Sequence, residues 1–247
     1  MRLISSLFLA GCVLCTILSC RKPNNNINYE LSYGESVLYL KNSGANIVYP
    51  KTSRTDGSYT SFPKGLEIDA ATGAIDLSKS ETGLRYRITF KANNGEIYNT
   101  TIVVSGVNYE DKYYSLRIDS IAYPAYNATS SLTVPGSFDY DHTARDMGLE
   151  IDPFTGAIDL RKTSHSNLIN YKNGIRQEVE IRYKLKDQSN EAPNSIKILV
   201  YYYKSQQEAD KEVNLATTVK EHIDMLNLVQ TKSADKPRPP CVIIVDN

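Results

Sequence analysis

One segment occurs twice in this chain. Residues 65–77 read GLEIDAATGAIDL and residues 148–160 read GLEIDPFTGAIDL, so the copies begin 83 residues apart (148 − 65). This spacing is close to the length of one small β-sandwich domain. The repeated segment, called the motif below, therefore predicts two domains of the same fold.

Both copies are followed by segments that alternate apolar and polar residues. RYRITFK at 85–91 corresponds to EVEIRYK at 178–184, and a polar turn and a last apolar segment follow each of them, at 101–104 and 196–203. Upstream, Tyr49-Pro50 corresponds to Tyr123-Pro124. Such alternation predicts antiparallel strands with one buried face.

The centre of the motif predicts a tight turn between two short strands. An Asp that begins a turn can accept hydrogen bonds from backbone amides further along, and Gly adopts the positive φ that closes the turn. We therefore expect Asp69, Gly73, Asp152 and Gly156 to be structural turn residues. Metal binding or catalysis by Asp69 and Asp152 is the alternative.

The sequence GLEIDxxTGAI resembles the GLSIDxxTGxI signature of bacterial Ig-like repeats, which are related to the cadherin-like repeats of surface proteins. The resemblance covers residues 29–107 and 112–204. It implies a mainly β fold with two tandem Ig-like β-sandwich domains that act as spacers or adhesive modules. Asp-Leu follows the motif where the family usually has a Gly-Thr-Pro type of turn. The acidic linker motifs by which cadherins bind calcium are absent from the sequence.

The N-terminus has the features of a secretory signal. Arg2 precedes an apolar and small-residue run over 3–19, which is the layout of a signal peptide. The sequence Ile17-Leu18-Ser19-Cys20 resembles the lipobox of bacterial lipoproteins. It implies that residues 1–19 are removed and that Cys20 receives a lipid. A transmembrane anchor is the alternative, for which the run is short.

Residues 20–28 are polar and rich in Asn, and we interpret them as a flexible lipidated tether. Many enteric lipoproteins that stay in the inner membrane have Asp after the lipidated Cys, whereas this chain has Arg21. We therefore expect a lipid anchor in the outer membrane, with the folded part facing the periplasm or the cell surface. The membrane is the first expected partner, through the lipid on Cys20.

Charge and cysteine content limit the other partners. Loss of the signal peptide leaves 27 Lys and Arg (28 less Arg2) against 28 Asp and Glu, and this near-neutrality argues against a nucleic-acid partner. Cys12 and Cys15 leave with the signal peptide, so Cys241 is the one thiol that remains beside the acylated Cys20. A disulfide within the mature chain is excluded. We expect Cys241 to be a partly buried packing residue rather than a nucleophile.

The C-terminal segment, 205–247, differs in composition. Residues 205–231 contain no Gly or Pro and repeat apolar residues at steps of three and four, which predicts an amphipathic helix. Ser205 is the expected N-cap, with Glu208 completing a capping box. The sequence CVIIVDN predicts a short strand. The favoured interpretation is that helix and strand pack on the second sandwich, and the alternative is a helix that binds a partner.

The sequence has few signs of catalytic chemistry. Its three histidines, His142, His165 and His222, lack metal-ligand spacing, and no nucleophile elbow, P-loop or dinucleotide fingerprint occurs. We expect no catalytic residue, no cofactor and no metal. The acidic loop 139–146 has oxygen ligands suited to Ca²⁺, but a hydrated surface loop is the favoured interpretation.

Two further features bear on recognition. The chain has 18 Tyr and no Trp; exposed Tyr suits glycan and protein binding, although Tyr also simply favours strands. The runs Tyr113-Tyr114 and Tyr201-Tyr202-Tyr203 put at least one ring on each face of a sheet, so some of these rings are expected to be exposed. Asp119-Ser120-Ile121 resembles the O-glycosylation site of Bacteroidetes, which makes Ser120 a candidate modification site.

These features predict a non-enzymatic envelope lipoprotein that presents two Ig-like domains for protein or glycan binding, or that serves as a spacer. The alternative is an accessory subunit of an outer-membrane nutrient-uptake or assembly complex, docked through its C-terminal helix. A hydrolase built on β-sandwiches is a third hypothesis, which requires paired carboxylates across a cleft.

Overall fold

The structure, a computed structural model, describes residues 29–129, 134–213 and 239–246. The described chain is mainly β and forms two tandem β-sandwiches with three short helices. The signal peptide, Cys20 and the tether lie outside the described residues, as does most of the predicted C-terminal helix. Within the described ranges, no helix is long and apolar enough to cross a membrane.

The first repeat contains six strands. They are β1 (Val37–Leu38), β2 (Ile47–Val48), β3 (Gly57–Phe62), β4 (Ile75–Asp76), β5 (Leu84–Ala92) and β6 (Ile97–Val104). The main sheet has the order β1-β6-β5-β3, and β2 pairs with β4 in a second layer. Burial alternates along β5, so one face of the main sheet covers a core that includes Tyr86, Ile88 and Phe90, with Ile75 of the second layer.

The second repeat contains the remaining elements. They are β7 (Val107–Tyr109), β8 (Lys112–Ser115), β9 (Ile121–Ala122), β10 (Pro124–Tyr126), β11 (Gly136–Phe138), α1 (Thr143–Asp146), β12 (Ile158–Asp159), α2 (Leu160–His165), β13 (Ile175–Leu185), β14 (Asn194–Tyr203), α3 (Gln206–Glu212) and β15 (Cys241–Val245). The main sheet has the order β11-β13-β14-β15-β8, and the ribbons β10-β7 and β12-β9 lie outside it.

The expected strands are confirmed. Segments 85–91 and 178–184 lie in β5 and β13, and the last apolar segments lie in β6 and β14. The short segment between the two predicted domains is not a free linker, because β7 pairs with β10 and its Val107 and Tyr109 are buried. Their apolar side chains belong to the second core, so Ser105 and Gly106 alone separate β6 from β7.

A buried tyrosine holds the motif turn in each repeat. The Tyr33 hydroxyl donates to the carbonyl of Gly73 at 2.7 Å, and the Tyr109 hydroxyl donates to the carbonyl of Gly156 at 2.6 Å. Both glycines have φ of 72°. A Cβ on Gly156 would meet the Phe138 ring at 2.6 Å. Glycine is therefore required for both the positive φ and the close contact with the ring.

Hydrogen bonds cross the junction between the repeats. The hydroxyl of Tyr183, which is completely buried, accepts from the Val107 amide at 3.2 Å and lies 3.1 Å from Thr82 Oγ1. Burial raises the pKa of Tyr183 to about 12. Ser105 Oγ donates to Asp187 Oδ2 at 3.1 Å. Because Thr82 and Ser105 belong to the first repeat, these bonds fix one repeat on the other.

The described parts of the C-terminal segment, residues 205–213 and 239–246, pack on the second repeat. Ser205 Oγ accepts from the Glu208 amide at 3.3 Å, which confirms the N-cap. The reciprocal half of the capping box is missing, since Glu208 Oε2 has no hydrogen bond among the described residues. The predicted helix over 205–231 is wrong as one continuous element, because Val213 is extended at φ −113° and ψ 107°. Val213 packs beside Leu199 and Cys241 instead.

The motif tyrosine should contribute measurably to stability. We expect Tyr109→Phe to lower the free energy of unfolding by about 1–2 kcal/mol, because the buried Gly156 carbonyl loses its donor. Urea unfolding of the mature chain measures this change. Tyr123→Phe, which alters an exposed ring, is the matched control, and an equal loss in both variants would contradict the assignment.

Candidate functional site

A shallow hollow of about 420 Å³ lies beside the motif of the second repeat. Its walls come from β9 and the residue after it, from the motif strands and turn, and from the start of α2. Nine residues line it: Ile121, Tyr123, Glu150, Ile151, Asp152, Thr155, Ala157, Asp159 and Lys162.

Each of these nine residues has an identical counterpart in the first repeat. Seven of the counterparts lie 83 residues earlier in the chain. The other two are matched by strand pairing, because Ile47 lies opposite Asp76 just as Ile121 lies opposite Asp159. The counterparts are Ile47, Tyr49, Glu67, Ile68, Asp69, Thr72, Ala74, Asp76 and Lys79. We call these two matching sets the duplicated face.

The fold accounts for the motif members of the face. Asp69 Oδ1 accepts from the amides of Ala71 at 3.0 Å and Thr72 at 2.7 Å. Asp152 Oδ1 accepts from those of Phe154 at 2.9 Å and Thr155 at 2.8 Å. Both aspartates therefore serve as the turn residues that the sequence predicts.

The same hydrogen bonds set the ionisation of the turn aspartates. The pKa of Asp69 lies below its usual value, chiefly because the Thr72 hydroxyl donates to the carboxylate. The pKa of Asp152 is lowered chiefly by the backbone amide of Thr155. Both carboxylates thus remain negatively charged at neutral pH.

The fold does not account for the exposed members of the face. Tyr49 is 61% exposed and Tyr123 is 63% exposed, whereas a ring needed for packing would be buried. Nearby positions that the fold does use have diverged, since Tyr59 packs on Gly73 where Phe138 packs on Gly156. The turn has changed as well, from Ala70-Ala71 to Pro153-Phe154. Identity is thus kept at these two solvent-facing positions, although the ring packed on the motif glycine and two residues of the turn differ.

The face carries more negative than positive charge. Lys79 Nζ lies 3.0 Å from Asp76, and Lys162 Nζ lies 3.2 Å from Asp159. The pKa of Asp76 is lowered, first by the Ser78 hydroxyl and then by Lys79. Glu67 and its counterpart are exposed. Each face therefore offers three carboxylates and one lysine beside an open aromatic ring, a set that suits hydroxyl or ammonium donors next to a flat or aliphatic surface.

The acidic loop 139–146 has a structural role. Asp139 is fully buried and accepts from the Ala144 amide at 2.8 Å and from Arg145 Nε at 2.9 Å. Asp141 pairs with Arg182 at 2.7 Å. These carboxylates bond to the protein itself, and no cluster of three metal-binding side chains occurs within the described ranges.

The other candidate residues do not join the duplicated face. His165 contacts the Arg161 carbonyl at 2.6 Å and the Tyr171 hydroxyl, and His222 lies outside the described residues. Ser120 is half-buried just before β9, and its carbonyl accepts from the Leu160 amide at 2.9 Å. Cys241 is buried in β15.

Eight of the 18 tyrosines are buried. Those that are buried are Tyr33, Tyr59, Tyr86, Tyr109, Tyr114, Tyr183, Tyr202 and Tyr203. The runs Tyr113-Tyr114 and Tyr201-Tyr202-Tyr203 are expected to expose some of their rings, but Tyr113 and Tyr201 are partly buried against the cluster under α3. The two most exposed rings are Tyr49 and Tyr123, followed by Tyr171 at 38%. The repeated Tyr-Pro pair is the sequence signal that could have found the first two.

Comparison with known proteins adds little to this geometry. No family model matches the chain, and no curated protein matches it. The chain is similar to the EC1-4 fragment of Drosophila N-cadherin, with 13% identity, 68% of this chain and 47% of that chain covered, and a TM-score of 0.21. It is also similar to the protocadherin gammaB7 EC3-6 structure, with 10% identity, coverage of 68% and 45%, and a TM-score of 0.21. The chain spans less than half the length of these structures, and a TM-score of 0.21 supports no argument about function.

The turn aspartates should make stability depend on pH in acid. Because their pKa is lowered in the folded state, the stabilisation is present above the ordinary Asp value of about 4 and is lost as pH falls through the lower folded value. We expect Asp69→Asn with Asp152→Asn to flatten this acid loss, measured by urea unfolding between about pH 7 and pH 3.

Thr72→Ser with Thr155→Ser is the control for that experiment. It retains both carboxylates and the amide donors, so its acid profile should follow the wild type. If the free energy of unfolding of the Asn variant fell in acid as steeply as that of the wild type, the two turn aspartates would not be the cause of the acid loss.

Proposed function

We propose that this chain is a non-enzymatic envelope lipoprotein whose two Ig-like repeats bind a protein or glycan through the duplicated face. The observation that carries the proposal is the identity of all nine lining residues, the exposed tyrosine and lysine included, in two repeats that differ in the ring packed on the motif glycine and in two turn residues. A fold requirement explains identity at Gly73 or Asp69. It does not explain the same tyrosine and lysine at the same solvent-facing positions.

The chemistry of the face favours binding over catalysis. The turn carboxylates are held by backbone amides, and the Asp76 and Asp159 side chains pair with lysines. An open Tyr ring offers a flat apolar surface, and the surrounding carboxylates accept hydrogen bonds from hydroxyl or ammonium groups. Sugar rings and basic protein surfaces both present this combination.

The junction supports a spacer role in the same molecule. Two residues separate the last strand of one repeat from the first strand of the next, and the buried Tyr183 hydroxyl contacts both repeats. Bonds of this kind hold the two faces at a fixed separation. The lipobox-like sequence at Cys20 would tether this unit to a membrane.

Loss of both exposed tyrosines should abolish binding. We expect the fluorescently labelled mature chain to bind saturably to isolated envelopes of the bacterium that produces it. The double variant Tyr49→Ser with Tyr123→Ser should lose most of that binding, because both exposed aromatic rings are removed. Envelopes treated with protease or with periodate then separate a protein ligand from a glycan ligand.

The matched control is Ile97→Ser, which removes an exposed apolar side chain of 58% exposure outside the face. Its binding should equal that of the wild type. Equal binding by the double tyrosine variant and the wild type would overturn the role of the duplicated face.

The anchor and its orientation are tested separately. We expect Cys20→Ser, in a chain whose residues 1–19 are replaced by the cleavable signal peptide of a soluble periplasmic protein, to move from the membrane fraction to the soluble fraction, since the lipid supplies the anchorage. Protease treatment of intact cells, with a periplasmic protein as control, then distinguishes surface display from a periplasmic position. Retention of the Ser variant in membranes would contradict the lipoprotein assignment.

A further inference from the structure

The two repeats close their main sheets differently. In the first repeat, β1 pairs directly with β6 in parallel, Val37 opposite Val103. In the second repeat the equivalent strands are β8 and β14. Val37 lies four residues after Tyr33, and Tyr113 lies four residues after Tyr109. These two strands do not pair, because β15 lies between them and is parallel to both.

The second repeat thus contains one strand more than the first repeat needs. The first repeat shows that this fold can close when its first strand pairs with its last. In the second repeat, the space between β8 and β14 is a slot for an added strand, and the C-terminal end of the chain fills it. We call this space the strand slot.

The strand slot encloses its occupant on both faces. All five residues of β15 are buried. Val242 and Ile244 pack in the main core of the repeat, while Ile243 and Val245 pack on the opposite face with Ala209 of α3. Burial of the four aliphatic side chains of β15 removes a large apolar surface from water, so the slot favours binding of such a segment.

Polar contacts set the register at each end of the slot. The buried Asp111 carboxylate accepts from the Cys241 amide, at the point where Pro240 ends the preceding segment. At the other end, Asp246 accepts from the Tyr202 hydroxyl at 3.3 Å. In between, the registers of β15 with both neighbours are regular. The slot therefore recognises an extended apolar peptide of one length and one direction.

The connection to β15 is long. The chain between Val213 and Pro239 comprises residues 214–238, and a chain can extend by about 3.3–3.6 Å per residue. Its maximum reach is therefore on the order of 80–90 Å, which is large enough to place β15 in a neighbouring molecule. Exchange of a terminal element across such a connection is a low-cost route to dimers.

We propose that the strand slot is a β-strand acceptor site whose partner is residues 239–246 of a second copy of this chain, giving a strand-exchanged assembly. We assign this segment as the occupant because the structure defines the register, direction and burial of β15 in the slot. Each copy has one slot and one strand, so exchange satisfies every slot. This inference does not depend on the duplicated face.

Cross-chain disulfide formation tests the proposal. Ile243 lies opposite Tyr113, so cysteines at these two positions are close enough to bond. Tyr113→Cys is placed in one mature chain and Ile243→Cys in another, both with Cys20→Ser and Cys241→Ser. Neither chain can form the disulfide alone. After the two chains are mixed or refolded together and oxidised, a covalent dimer on a non-reducing gel reports exchange.

The first repeat supplies the matched control. Val37 and Val103 are also opposite each other in a parallel pair, so Val37→Cys and Val103→Cys in separate chains report non-specific or misfolded pairing. We expect the fraction of chain found in the slot-pair dimer to rise about tenfold for a tenfold rise in protein concentration while the dimer is the minor species, because cross-chain pairing is bimolecular. The control pair should give little dimer at any concentration.

The proposal is overturned if the slot pair gives no more covalent dimer than the control pair. This comparison is made in chains whose thermal unfolding matches that of the wild type. If Ile243→Cys prevents folding, Ser115→Cys with Val245→Cys uses the next pair of the same register. A chain ending at residue 238 gives a further test. Peptide 239–247 added to it should restore the thermal transition of the second repeat, and failure to do so shows that the slot is not an acceptor.

Discussion

The bond from a buried tyrosine to the motif glycine supports the rest of each repeat. Tyr33 and Tyr109 lie on the first segment of their repeats, and Gly73 and Gly156 lie in the hairpin that forms the opposing layer. A buried carbonyl needs a donor, and here that donor comes from the other end of the domain. The bond closes the sandwich and fixes the hairpin whose outer surface is the duplicated face.

This arrangement separates the positions that the fold constrains from those that it does not. The turn needs its Asp and Gly because amide groups and a positive φ must be accommodated. The core needs volume, which Tyr59 and Phe138 supply equally well. Tyr49 and Tyr123 satisfy neither need, and their identity is therefore the part of the repeat that points to recognition.

The second repeat uses the same plan with a different closure. Its first strand is held away from its last strand by β15, and both faces of the sheet are then covered, by the main core and by α3. A central parallel strand taken from the end of the chain requires contacts between residues far apart in sequence. The second repeat therefore completes its sheet only when the last residues of the chain are in place.

The sequence by itself determined the two repeats, the β class, the main strands and the chemistry of the motif turn, because alternation and turn residues act over a few neighbours. It also placed a short strand at Cys241–Val245. Only the tertiary structure decided that this strand lies inside the sheet, that Val107 and Tyr109 belong to the core of the second repeat, and that the most exposed tyrosines are Tyr49 and Tyr123. Those outcomes depend on long-range pairing and on burial, which no local pattern encodes.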